Sequence, residues 1–314
     1  MTEPNSASPR DTADEETDAH PPRTVYPVRR REDWPLDPPA GEPVRRLIVL
    51  DTETTGFDPP RHSVIEICAA RICIDETGRV CAVETIRTGL RDPGVPLSET
   101  IRELTGLTDG DLRGRSVDEQ DLAKFLASGE AVAAFNASFD RPHIENILPT
   151  GTLMPWVCVM KDIDWRGWGF EPGSQGYLLS QAGYYNPVKH RARDDVLSLI
   201  ELIDHRPAGG KTVATKLLEA LDRRQWRFEA QGAGYSQRHE LKDRGYRWSA
   251  QNKLWHKVVR SAEFRREYRW YKSVIGQRPA VVTLPASERY RADHTWKPKP
   301  PKKMNLEWPE GDPF

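Results

Sequence analysis

The chain has 314 residues, 37% of them hydrophobic and 30% charged, which is enough for one ordinary globular domain with appendages and too much for a small stapled scaffold. No run approaches the roughly 18 consecutive apolar residues a membrane-spanning helix needs, and Met1–Ser6 lacks the basic start and apolar middle of a secretory signal. A cytoplasmic location with no membrane partner is therefore the expectation. The four cysteines, Cys68, Cys73, Cys81 and Cys158, form no metal-ligand spacing and read as buried reduced thiols. The net charge of -1 conceals a segregation: up to Asp222 there are 25 Lys and Arg against 37 Asp and Glu, whereas Arg223–Lys303 holds 21 against 7. Six of the ten Trp lie from Trp226 onward, and basic side chains interleaved with aromatics suit a polyanion with exposed bases.

Taken in chain order, residues 1–43 carry nine prolines and an acidic cluster, and are expected to be a disordered tail because they cannot bury enough surface to offset their ordering entropy. Order is expected to begin at Arg45–Leu50, a compact apolar strand that runs into Asp51-Thr52-Glu53-Thr54-Thr55-Gly56 and a Pro-rich turn. Val64–Ile74 and Val80–Leu90 are two more β-branched segments, so an antiparallel meander of three strands is predicted. Helices around Ser98–Leu104 and Val117–Leu126, a strand at Ala131–Phe135, a helix at Ser138–Leu148, a strand at Pro155–Met160 and helices at Gln175–Ala182 and Ala192–Ile203 complete a unit spanning 44–206. Strands followed by alternating helices and strands predict an α/β fold with a mixed sheet flanked by helices. A linker and connecting helix (207–225), a small basic α+β C-terminal module (226–275) and a disordered Pro/Lys-rich tail (276–314) follow.

The residues able to carry chemistry sit at element ends. Asp51 and Glu53 are two apart at the end of a strand, so their side chains project from the same face. Two converging carboxylates on an apolar strand repel each other and lose hydration, a cost that a bound divalent cation offsets. Asp140 follows the fourth strand at a helix start, and Asp195 opens the last helix with Asp194 beside it and His190 upstream. Together these groups can form an oxygen-rich site for Mg²⁺ or Mn²⁺.

These motifs, in this order, resemble the DnaQ-like, DEDDh superfamily of 3′-to-5′ exonucleases. The first motif is matched by Val49–Gly56, the second by Asn136-Ala137-Ser138-Phe139-Asp140 and the third by His190–Asp195, with Leu97–Leu112 similar to the stretch between the first and second. The wider pattern is most similar to bacterial DNA polymerase III epsilon-like exonucleases, some of which share the signature Leu241-Lys242-Asp243-Arg244-Gly245-Tyr246-Arg247-Trp248. The resemblance implies a ribonuclease H-like fold and a two-metal mechanism. In it Asp51 bridges two divalent cations, Glu53, Asp140 and Asp195 complete their coordination, and His190 is the general base. It also implies that Thr54, Gly56, Asn136 and Phe139 line the pocket for the terminal nucleotide. Phe135 departs from the pattern, since many relatives place His there. The threonine form of the first motif leans toward DNA.

In the C-terminal module, Tyr246, Trp248, Leu254, Trp255 and Val258 predict a small hairpin with a helix on either side. Arg244, Arg247, Lys253 and Lys257 are candidates for phosphate contacts, while Trp248 and Trp255 are assigned mostly to the core. The leading expectation is a metal-dependent exonuclease that removes nucleoside monophosphates from DNA 3′ ends in repair or end trimming. Alternatives are an exoribonuclease acting on RNA 3′ ends and a non-catalytic, polymerase-associated nucleic-acid-binding scaffold. The complete carboxylate set argues against the scaffold. No clear polymerase-docking motif is present, and the oligomeric state is left open between monomer and homodimer.

Overall fold

The computed structural model describes residues 24–148, 153–295 and 297–298. In chain order the elements are β1 (Tyr26–Pro27), β2 (Arg45–Thr54), β3 (Val64–Ile74), β4 (Val80–Leu90), α1 (Glu99–Thr105), α2 (Asp109–Leu112), α3 (Glu119–Leu126), β5 (Ala131–Ala134) and α4 (Ala137–Glu145). They continue with β6 (Trp156–Cys158), α5 (Val159–Asp162), α6 (Gln175–Gln181), β7 (Tyr184–Tyr185), α7 (Ala192–Asp204) and α8 (Val213–Asp222). The last group is β8 (Gln225–Glu229), α9 (Arg238–Asp243), β9 (Arg247–Ser249), β10 (Leu254–Arg260), α10 (Ser261–Ile275) and β11 (Ala280–Thr283).

A five-stranded sheet of order β4-β3-β2-β5-β6 forms the larger unit. β2, β3 and β4 are antiparallel neighbours, and β2-β5 and β5-β6 are parallel pairs. This is the ribonuclease H-like arrangement that the sequence resemblance implies. β2 is apolar on both sides because both faces of the sheet are covered. Leu47 and Val49 join one core with Trp34, α6, α7 and α8, while Ile48 and Leu50 join a second with α3 and α4. The parallel pairing of β2 with β5 stops at Val49 and Ala133. Beyond that point the residues of β2 from Leu50 to Thr54 pair with β3 alone.

The expected boundaries change on two sides. Residues 24–43 pack on the larger unit instead of trailing from it: β1 pairs with β7, Trp34 is only 4% exposed, and Arg29 reaches Glu201 and Asp204 of α7 at 2.7 and 2.8 Å. Proline-rich composition hid a segment with two anchors, Trp34 packed in the core and Arg29 satisfying two buried carboxylates. The helix expected as a linker, α8, likewise buries Val213, Ala214, Leu217 and Ala220 in the first core. The remainder of the N-terminal tail, residues 1–23, lies outside the described residues.

The C-terminal module is larger than the predicted hairpin and two helices. The hairpin of β9 and β10 is present, and β8 and β11 extend it to a four-stranded antiparallel sheet of order β11-β8-β10-β9. Phe228, Val259, Phe264, Tyr268 and Tyr271 form its core under α10. Residues 284–295, assigned to a disordered tail, run back over the larger unit: Arg141 of α4 donates to the carbonyls of Ser287 and Arg289, both at 2.6 Å. Tyr290 donates to Asp162 Oδ2 at 2.7 Å, and Arg289 donates to the carbonyls of Ala220 and Arg223. The rest of that tail, from residue 299, lies outside the described residues.

Candidate active site

Strand alternation separates the side chains of the first motif. Asp51 and Glu53 share the face of Leu47 and Val49, toward α7, whereas Thr52 and Thr54 point toward α4. A register shift between Glu53 and Thr54 ends the regular ladder with β3, and such bulges re-aim side chains where pairing terminates. Asp195, in the first turn of α7, meets the two carboxylates: one oxygen each from Asp51, Glu53 and Asp195 lie within 4.8 Å of one another. That grouping excludes Asp140. Asp140 is 3% exposed and accepts the Thr52 hydroxyl at 2.9 Å, so it approaches Asp51 from the α4 side of the sheet.

The electrostatics agree with a cluster built for a cation. Burial, followed by repulsion from Asp140, Asp195 and Glu53, holds Asp51 well above the usual carboxylate range. Burial and the charges of Asp195 and Glu66 push Glu53 up to about 8. Burial raises Asp140 to about 7 against the opposing hydrogen bond from Thr52, and burial also raises Asp195. Carboxylates crowded in this way favour their charged forms only when a positive charge sits among them. An all-oxygen donor set fits a hard divalent ion, so these residues suit such an ion.

His190 is exposed on the loop before α7 and adopts a left-handed backbone with φ 58°. It stands outside the carboxylate grouping but close enough to favour the charged form of Asp195. Two residues that the sequence reading passed over fix this loop. Glu66, opposite Glu53 in β3, is buried and accepts from Arg191 at 3.1 and 3.0 Å and from the Ala192 N–H at 3.1 Å. It thereby ties the start of α7 to the sheet. Asn186 donates to the Asp194 carbonyl at 2.9 Å and to Ser198 Oγ at 2.7 Å. A lone acid inside the apolar run of β3 was the available signal for Glu66; a loop Asn offers none.

The residues expected to line the nucleotide pocket divide. Thr54 is buried and its hydroxyl donates to the Gly56 carbonyl at 2.7 Å, so it shapes the turn. Gly56 is required by contact, since a Cβ there would sit 2.5 Å from the His62 ring. Asn136 caps α4 without a side-chain cap bond, and its Oδ1 is buried with no partner among the described residues. Phe139 is half-buried, with its ring 4.9 Å from that of His143 and 6.2 Å, edge-on, from that of Phe57. Phe57, 89% exposed on the turn after β2, is a further residue the sequence reading missed.

The basic candidates of the module also divide. Lys257 donates to Glu267 at 2.8 Å and to the Arg244 carbonyl, and Arg244 donates to the same Glu267 at 3.2 Å. Both cations therefore neutralise one buried carboxylate of α10 and are themselves largely covered. Arg247 and Lys253 are exposed. Trp248, assigned to the core, is 50% exposed at the edge of the sheet, where its ring meets that of Trp255 at 5.7 Å. All four cysteines are free thiols, with burial raising each above its ordinary range. No helix among the described residues is long and apolar enough to cross a membrane.

Residues 48–203 match the RNase_T family model, described as Exonuclease. This segment is an exonuclease domain. The match runs from β2 through α7 and so contains every carboxylate of the cluster. Over about a third of the chain the sequence is 40% identical to a DNA polymerase III PolC-type of Halalkalibacterium halodurans (100 residues, 30% of this chain) and 36% identical to one of Streptococcus suis (97 residues, 30%). The aligned part is 6% of each polymerase's length. Among solved structures, exonuclease X in complex with 5′ overhanging duplex DNA is 23% identical with a TM-score of 0.40, covering 55% of this chain and 98% of that one. The nuclease domain of 3′hExo, a DEDDh family member bound to rAMP, is 17% identical with a TM-score of 0.40, covering 50% and 88%. The exonuclease domain thus accounts for the larger unit, and α8, the N-terminal segment and the C-terminal module lie outside the match.

Proposed function

We propose that the chain is a metal-dependent 3′-to-5′ exonuclease that releases nucleoside monophosphates from DNA 3′ ends, single-stranded or frayed, in repair or end trimming. The observation that carries this reading is the convergence of Asp51, Glu53 and Asp195 within 4.8 Å inside a segment matched to an exonuclease family. DNA is favoured over RNA by the polymerase relatives and by the Asp-Thr-Glu-Thr-Thr-Gly form of the first motif.

In this reading Asp51, Glu53, Asp140 and Asp195 hold two divalent cations, Mg²⁺ or Mn²⁺. When bound, the cations lower the pKa of the attacking water and stabilise the departing 3′ oxygen. His190 accepts the proton of that water, a task suited to an imidazole near neutral pH. Its exposed loop position lets it approach as substrate binds, while Glu66 and Arg191 hold the base of the loop. Thr52 keeps the Asp140 carboxylate oriented from behind. Asn136, with its unpartnered Oδ1, and Phe139 contact the terminal nucleotide, the first through hydrogen bonding and the second through its ring face.

The test is digestion of matched 5′-labelled DNA and RNA oligonucleotides in Mg²⁺, Mn²⁺ or EDTA, with Asp51→Ala alongside. The expected result is a metal-dependent ladder shortening from the 3′ end, absent in the variant and faster on DNA. Faster shortening of RNA would replace the DNA assignment, and no cleavage of either would overturn the nuclease reading.

A further inference from the structure

The two faces of the module's sheet are unlike. Trp226, Phe228, Trp255, Val259 and Val281 turn to α9 and α10. The opposite face carries no helix of the module. By the pairing register it carries Arg227 and Glu229 of β8, both buried and paired at 3.0 Å, with His256, Val258 and Arg260 of β10, and Arg247 of β9, the edge strand. Part of this face is closed by residues 284–295, where Asn252 donates to the Asp293 carbonyl at 2.9 Å and His256 lies 3.6 Å from the Asp293 carboxylate. Toward β9 it opens: Arg247 is exposed and Val258 is 46% exposed.

This open part adjoins the catalytic segment. Arg260 donates to the carbonyl of Lys161 in α5, and Lys161 Nζ donates to Ser138 Oγ at 2.6 Å. Ser138 lies between Asn136 and Asp140, so one hydrogen bond separates Lys161 from the second motif. Burial disfavours the Lys161 charge, and Arg247 adds to this while Cys158 and Asp162 oppose it. The nearby Asp162 accepts from the Cys158 N–H at 2.9 Å and from Tyr290 at 2.7 Å. Among the described residues Lys161 and Arg247 form no ion pair with any carboxylate. Like charges held together at a seam, one of them half-buried, are stabilised by an anion placed between them.

We propose that the seam formed by Lys161, Arg247 and Arg260 receives the phosphate backbone of single-stranded nucleic acid upstream of the terminal nucleotide, leading the substrate strand from the open face of the module into the catalytic site. The proposal rests on the exonuclease reading for its direction but not for the binding itself. It differs from the expectation drawn from the sequence, because Arg244 and Lys257 belong to the helix-covered face and take no part. Its occupant is set by charge complementarity and by continuity with the second motif, and the strand needs no base-specific contact there.

The test uses the full chain in EDTA, so that binding is read without cleavage, with 5′-fluorescein single-stranded DNA of 20 and of 4 nucleotides followed by anisotropy. Arg247→Glu and Lys161→Gln are expected to weaken binding of the longer strand by about tenfold and about threefold, and to reduce the salt slope by roughly 0.7 for each phosphate no longer neutralised. Binding of the short strand should fall less. Lys272→Glu, the same charge reversal as Arg247→Glu but exposed on α10 behind the sheet, should change either affinity less than about twofold. Thermal melting of each variant checks that the fold is kept. Equal losses in the Arg247 and Lys272 variants, or none in either, overturn the seam. If the wild-type chain with Mn²⁺ releases no nucleotide while Arg247→Glu still weakens binding, the exonuclease reading fails and the seam stands.

Discussion

The two ends of α7 present opposite solutions to burying acids. At its C-terminal end Glu201 and Asp204, 1% and 2% exposed, are held by Arg29 from the N-terminal segment, and Asp204 also meets Arg79 at 2.5 Å. At its N-terminal end Asp195 faces Asp51 and Glu53; among the described residues none of the three forms an ion pair, and burial and repulsion raise all three against the weaker pull of His190 on Asp195 and of Arg191 on Glu53. The positive end of the helix dipole lies beside Asp195 and relieves some of this cost, but only a few tenths to about 1 kcal/mol. One helix thus carries a compensated pair that fastens the fold and an uncompensated acid that serves chemistry. The module repeats the first solution, with Glu267 neutralised by Arg244 and Lys257. Burial of an acid alone therefore says little about function; the absence of a local cation says more.

If the uncompensated end is the working one, removing its central carboxylate should abolish turnover and spare the fold. Asp51→Asn is expected to lower the rate of 3′-end release by on the order of 10³-fold or more, since metal-borne charge stabilisation is worth several kcal/mol. In EDTA the same variant should melt no lower than the wild type, because it loses a repulsive charge. A variant that melts well below the wild type would place Asp51 among the structural acids.

The compensated groups should instead cost stability when cut. Arg141, whose side chain is 1% exposed, joins Glu145 at 2.9 Å to two carbonyls of the C-terminal segment. Arg141→Ala strands those acceptors and is expected to cost about 3–5 kcal/mol in urea unfolding. Because Asp140 precedes it on α4, turnover should fall as well. Arg29 is about a third exposed, so solvent screens its pairs with Glu201 and Asp204. Arg29→Ala is expected to cost about 2 kcal/mol with kcat retained. A larger loss for Arg29 than for Arg141 would reverse the order assigned to the two straps.

Much of this contrast was legible in the chain. Strand alternation put Asp51 and Glu53 on one face, helix starts located Asp140 and Asp195, and the resemblance alone joined the four into a ligand set; β3 and β4 have the boundaries that their β-branched runs suggest. What could not be read was pairing over long sequence separation. Nothing local tells that Arg29 meets Glu201, that Arg141 is capped by Ser287 and Arg289, or that Lys257 and Arg244 turn inward to Glu267. A basic residue in a basic segment looks available for phosphate until the facing helix supplies its acid. Trp248 failed for a related reason: alternation gave its face, but not that β9 is an edge strand.

The smallest of the expected effects is also the one that separates the two ends of α7 by titration. Glu53 has its folded pKa raised from 4.5 to about 8. The folded state then binds more protons than the unfolded state between those values, so stability is full below about pH 4.5 and declines as pH rises through the window to about 8. The pair of Arg46 with Glu84 imposes no such decline. Against burial, which works the other way, hydrogen bonds with Arg46, Cys73 and Arg71 lower Glu84 to about 2, so it contributes stability that is lost only as pH falls toward that value. Melting temperature in EDTA should therefore drift down by a few degrees between about pH 5 and 8. Saturating Mn²⁺ should flatten or reverse the drift, since the ion binds the ionised carboxylates of the folded state alone. Glu53→Gln should show a shallower drift without metal, the remainder coming from the raised Asp51, Asp140 and Asp195. A drift as steep in Glu53→Gln as in the wild type and indifferent to Mn²⁺ would move the titrating groups elsewhere and leave the N-terminal end of α7 without its distinguishing charge.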